Sequence, residues 1–104
     1  MHYEWDKIKN YSKEEFKNWW DPDKFDYGWI NYLIRYCHQY FDIWFNPNID
    51  YPLYVLVKYC PDKIKIWFKP LEIEWTPYME NIFIRSKCLT KKEINKYKIM
   101  KNLV

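Results

Sequence analysis

The stretch Lys63-Ile64-Lys65-Ile66-Trp67-Phe68-Lys69-Pro70-Leu71-Glu72-Ile73-Glu74-Trp75 decides how this chain is read. Charged and apolar residues alternate through 63–66 and again through 71–75, the period-two pattern of strands with one wet face. With a turn centred on Lys69-Pro70, Phe68 falls opposite Leu71, Ile66 opposite Ile73 and Ile64 opposite Trp75. Lys65 then meets Glu74 on the other face, an opposite-charge pair worth about 0.2–1 kcal/mol. The proline is awkward, because two-residue hairpins prefer glycine-type turns; a cis-proline turn or a bulge would resolve it. In this register Trp67 sits on the Lys/Glu face and is expected to be exposed.

Working outward, Leu53–Tyr59 is a β-branched and aromatic run that reads as a strand, and Asn81–Arg85 reads as another. Upstream, Trp29–Trp44 reads as one helix. Trp29, Ile30, Leu33, Tyr36, Cys37, Tyr40, Phe41 and Trp44 share a broad apolar side, and Asn31, Arg35, His38 and Asp42 form a narrow polar stripe. Asp26 suits its N-cap, and Asn46-Pro47 stops it, because the residue before a proline avoids the α region. Two capping boxes mark further helices, Ser12 with Glu15 and Thr90 with Glu93, flanked by Tyr11/Phe16 and Leu89/Ile94 at the staple positions. The first of these is expected to bury Phe16, Trp19 and Trp20, and the last Ile94, Tyr97, Met100 and Val104. No repeat, linker or low-complexity tract is read. The expectation is an α+β fold in one compact domain, 1–104, with order α-α-β-β-β-β-α and the helices packed on a small antiparallel four-stranded sheet.

Composition bounds the function. The chain is 23% aromatic with seven Trp and a single glycine, which leaves no means of building a glycine-rich phosphate loop. Lys, Asn, Ile, Tyr and Phe have AT-rich codons, and a short chain this rich in them suits a small viral or mobile-element protein. Three cysteines without paired spacing suggest free thiols in a reducing compartment. No apolar run reaches the ~18 residues of a membrane span, and the charged start is not a secretory signal. A cytoplasmic protein of the host cell interior is expected, without membrane attachment.

Chemistry is sparse. Cys37 and His38 are adjacent on a helix and diverge by about 100°, so they do not form a ligand pair. No exposed Ser or Cys lies close in sequence to complete a nucleophilic triad with His38 and Asp42, which read as solvated stripe. Glu72 and Glu74 read as ordinary sheet charges. No catalytic residue, metal site or cofactor is assigned, and a non-enzyme is expected.

Charge is unevenly spread. Residues 1–52 hold nine acidic and six basic side chains, and 53–104 hold five acidic and eleven basic. Two binding readings follow. In the first, the chain is a non-catalytic inhibitor that occludes a larger host protein, an enzyme of nucleic-acid handling or defence such as a CRISPR-type nuclease. An acidic face of Glu14, Glu15, Asp21 and Asp23 would stand in for phosphates, and exposed Trp67 and Ile99 would anchor the contact. In the alternative, the basic half binds nucleic acid through Lys63, Lys65, Arg85, Lys87, Lys91, Lys92 and Lys98, interleaved with stacking rings. A homodimer hiding Trp67 is a third possibility.

Overall fold

The computed structural model describes residues 3–103. It is 66% helical and contains no strand among those residues. The elements are α1 (Trp5–Ile8), α2 (Lys13–Trp19), α3 (Ile30–Cys37), α4 (Phe41–Trp44), α5 (Leu53–Tyr59), α6 (Ile64–Trp67), α7 (Pro77–Arg85) and α8 (Lys91–Asn102), with 3-10 turns at Tyr27–Trp29, His38–Tyr40, Pro61–Lys63 and Pro70–Glu72. The α+β expectation is therefore overturned. The chain is all-helical, and each predicted strand is something else: Leu53–Tyr59 is α5, Lys63–Ile66 is the end of a 3-10 turn running into α6, and Asn81–Arg85 is the second half of α7. Leu71–Trp75 is a 3-10 turn followed by irregular chain, and no cis peptide occurs among the described residues. Four or five alternating residues fit one turn of helix as well as a strand, and only longer runs separate the two periods.

The expected single helix over 29–44 is broken as well. Cys37 leaves the α region (φ −125°, ψ 26°), the chain passes through a 3-10 turn, and α4 sets off afresh. The break frees the Cys37 carbonyl, which accepts the Trp44 indole N–H at 2.7 Å. The same event recurs at Cys60 (φ −128°, ψ 42°), where the carbonyl accepts the Trp67 indole N–H at 2.8 Å. There Pro61 explains it, because the residue before a proline is pushed out of the α region.

That coincidence exposes a repeat in the sequence. Leu33-Ile34-Arg35-Tyr36-Cys37 is followed by Phe41, Ile43-Trp44-Phe45 and Pro47; 23 residues on, Leu56-Val57-Lys58-Tyr59-Cys60 is followed by Ile64, Ile66-Trp67-Phe68 and Pro70. An earlier copy, 25 residues upstream, places Ile8, Tyr11, Ser12, Phe16, Trp19-Trp20 and Pro22 in the same positions. The backbone repeats with it: Trp20, Phe45 and Phe68 each turn extended, and their N–H groups donate to the carbonyls of Phe16, Phe41 and Ile64 at 2.8, 2.9 and 2.9 Å. Leu89-Thr90 leads into Ile94 and Tyr97 in a fourth, divergent copy whose second helix runs on to Asn102. Each copy is a pair of short helices, the second opened by Ser12, Cys37, Cys60 or Thr90. In the first and last copies a hydroxyl caps that helix, completing the two expected capping boxes.

The chain divides into two compact units, Met1–Val55 and Leu56–Val104. In the first, α1 packs on α3, and Phe16, Leu33, Ile34, Cys37 and Phe41 are sealed from water. Phe16 stacks on Tyr40 with centroids 4.4 Å apart. The Tyr40 hydroxyl donates to the Tyr11 carbonyl and the Gln39 amide to the Lys9 carbonyl, tying one helical pair to the next. In the second unit, Phe83 is fully buried against Trp67, Phe68 and Trp75. Tyr97 closes edge-on to Phe68, and Lys101 of α8 donates to the Ile73 carbonyl. Trp19, Trp20 and Tyr97 are only half-buried, and Met100 is exposed, contrary to expectation; Ile94 is buried as expected. Val104 lies outside the described residues.

Candidate binding surfaces

The acidic residues fall on α2 and the turn that follows it. Glu14 is exposed in the first turn of α2, where a carboxylate suits the positive end of the helix dipole. Glu15 is exposed too, but its Oε1 accepts the Ser12 N–H at 2.9 Å. The hydrogen bonds from the Ser12 backbone and then its side chain hold the Glu15 carboxyl below its usual range. Asp21 Oδ1 accepts the Asp23 N–H at 3.0 Å, and Oδ2 lies 4.0 Å from the Lys24 ammonium. Asp23 is exposed.

Of the two expected apolar anchors, one is corrected. Trp67 is 3% exposed, with its N–H committed to Cys60 and its ring against Phe68 and Phe83. It offers nothing to a partner or to a second copy. The expectation fails because it rested on a strand face that does not exist. Ile99, in contrast, is 62% exposed. It continues into Met100 and Leu103, which is 81% exposed. Lys92, Asn95, Lys96, Ile99 and Met100 line an open depression along this flank of α8.

The basic residues separate into committed and solvated ones. Lys98 pairs with Glu80 at 3.3 Å, joining α8 to α7. Lys63 is half-buried in the 3-10 turn before α6, and Lys65 is exposed on α6. Arg85, Lys87, Lys91 and Lys92 are all exposed and cluster within eight residues across the turn between α7 and α8. Lys87 holds that turn in the left-handed region (φ 62°). Its N–H donates to the Ile84 carbonyl and the Cys88 N–H to the Phe83 carbonyl, a Schellman cap at a position that usually takes glycine.

Sequence reasoning missed a circuit of four rings in the first unit. Tyr3 and Trp19 lie 6.1 Å apart edge-on, Trp19 and Trp20 6.1 Å, Trp20 and Phe25 5.0 Å, and Phe25 and Tyr3 5.5 Å. With Asp21 and Lys24 these rings line a cavity of about 150 Å³. Trp19 and Trp20 occupy the repeat positions taken by Trp44-Phe45 and Trp67-Phe68, a signal that marks these two rings but not Tyr3 or Phe25. Among the described residues no group of three or more His, Cys, Asp or Glu is placed to hold a metal ion. No helix among them is long and apolar enough to cross a membrane. Comparison with protein-family models, curated proteins and solved structures finds no match to this chain.

Proposed function

We propose that this chain is a non-catalytic binding module that docks on a larger protein and occludes it, the partner being an enzyme that handles nucleic acid. The observation that carries the reading is the flank of α8, where Ile99, Met100 and Leu103 stay exposed while the aromatic core is filled from other positions. Exposed large apolar side chains at the end of one helix and its C-cap, with Lys92 and Lys96 beside them, suit a partner patch of apolar centre and polar edge. The first unit carries nine acidic and six basic side chains. Its solvated carboxylates at Glu14 and Asp23 support an approach to a surface that accepts phosphates.

The test is a pull-down with the tagged chain from its native host after nuclease treatment, run beside Ile99→Asp/Leu103→Asp. A stoichiometric protein partner that survives nuclease and is lost with the double variant is expected. A partner retained by the variant overturns the α8 anchor, and loss of every partner with the nucleic acid overturns the protein-binding reading. Charge at the acidic face is probed by Glu14→Lys/Asp23→Lys with Glu15→Gln and Asp21→Asn, which keep the local hydrogen-bond acceptors. Unchanged capture of the partner by this charge variant would refute the phosphate-mimic version.

One observation favours the second reading, nucleic-acid binding. The second unit carries eleven basic and five acidic side chains, with Arg85, Lys87, Lys91 and Lys92 clustered and exposed. That reading requires an oligonucleotide affinity falling steeply with salt.

A further inference from the structure

We propose that the ring circuit Tyr3-Trp19-Trp20-Phe25, with Asp21 on its rim, is a receptor for a methylated ammonium group. This goes beyond the partner reading above and depends on nothing in the second unit. A quaternary ammonium has no N–H to donate and spreads its charge over methyl groups, so it is held by the negative faces of aromatic rings rather than by hydrogen-bond acceptors. The cavity offers that environment: four rings linked at centroid distances of 5.0–6.1 Å and one carboxylate. Asp21 Oδ1 is already engaged by the Asp23 N–H. An unmethylated ammonium, which needs several acceptors, is served poorly.

Size points the same way. At about 150 Å³ the cavity is well below the ~300–1,000 Å³ of sites for drug-sized ligands and admits a compact head group. The walls are set before a ligand arrives. The Tyr3 hydroxyl accepts the Asp26 N–H at 3.0 Å. Trp20 lies parallel to Phe16, Trp19 stands edge-on to Trp5, and Phe25 edge-on to Tyr27. Rings so fixed lose little freedom on binding. Lys24 also lines the cavity, but its side chain is 80% exposed and its ammonium only 4.0 Å from Asp21 Oδ2, so it is a displaceable internal competitor.

The source of the group is either a methylated lysine in a peptide or a free choline-like molecule. The experiment titrates the intact chain with tetramethylammonium, choline, a short trimethyllysine peptide, the same peptide unmethylated, and 3,3-dimethylbutanol as the uncharged isostere of choline. The indole N–H signals of Trp19 and Trp20 are followed by NMR. Cations are expected to shift both signals, with the isostere and the unmethylated peptide about tenfold weaker or more. Asp21→Asn, which keeps the acceptor for the Asp23 N–H, weakens the cations several-fold and leaves the isostere unchanged; Lys24→Ala strengthens the cations. These two variants carry the test, since removing a ring risks the fold. Equal binding of isostere and cation, no response to Asp21→Asn, or no shift at Trp19 and Trp20 with any cation overturns the proposal. A methylated peptide binding much tighter than choline identifies a protein source, and equal affinities identify a free head group.

Discussion

Trp44 and Trp67 do the same job from equivalent places, each sending its N–H to the carbonyl of a cysteine seven residues back. Both rings are nearly fully buried, so removing the donor leaves a carbonyl without its partner. Trp44→Phe and Trp67→Phe are each expected to lower stability by about 1–3 kcal/mol in urea denaturation, before any packing loss. Lys87 is a different case, a side chain held at φ 62° where glycine is at ease. Lys87→Gly is expected to raise stability by about 1 kcal/mol, read as a higher urea midpoint at unchanged slope. Burial pushes the Cys37 and Cys60 thiols from an ordinary 9.0 up to about 12. The folded state thus keeps protons that the unfolded chain releases above pH 9. Stability contributed by these groups is whole below that pH and falls as pH rises toward 12. A thiol reagent at pH 8 is expected to leave both cysteines unmodified until the chain is denatured.

At the scale of elements, what was legible followed local chemistry. Ser12/Glu15 and Thr90/Glu93 announce their helices because a hydroxyl and a carboxylate at that spacing satisfy the orphan N–H groups of a first turn. Ser12→Ala and Thr90→Ala are each expected to cost about 1 kcal/mol, measured by thermal melting. What was illegible depended on packing. Lys63-Ile64-Lys65-Ile66 is too short to reveal its period, and the β-branched Val55 and Val57 favour strand on propensity alone. Tertiary burial of Val55, Leu56, Val57 and Cys60 overrides that preference. Setting Leu56–Cys60 beneath Leu33–Cys37, already read as helix from its apolar arc, would have corrected the strand. The ring cavity was hidden for another reason: Tyr3 and Phe25 meet Trp19 and Trp20 only through the fold, and no spacing along the chain marks them as neighbours.

For the molecule as a whole, the charge imbalance read along the sequence coincides with a structural boundary, since the two compact units begin and end close to where the sign changes. One chain thus presents an acidic body and a basic one. The α8 flank of Ile99, Met100 and Leu103 survived from sequence to structure only in part: Ile99 was expected outside, Met100 inside. Because these side chains bury little on folding, Ile99→Asp/Leu103→Asp is expected to shift stability by no more than about 0.5 kcal/mol while removing the partner. The binding defect and the fold are thereby separable in one variant.

The helical pairs also set how quickly the chain can find its structure. Hydrogen bonds between pairs span 30 residues from Gln39 to Lys9, 29 from Tyr40 to Tyr11 and 28 from Lys101 to Ile73. The bonds within a pair reach only seven residues, from Trp44 to Cys37 and from Trp67 to Cys60, so a pair can close before it is tied to its neighbour. During synthesis, the first pair can form and be covered by the second while the later pairs are still being made.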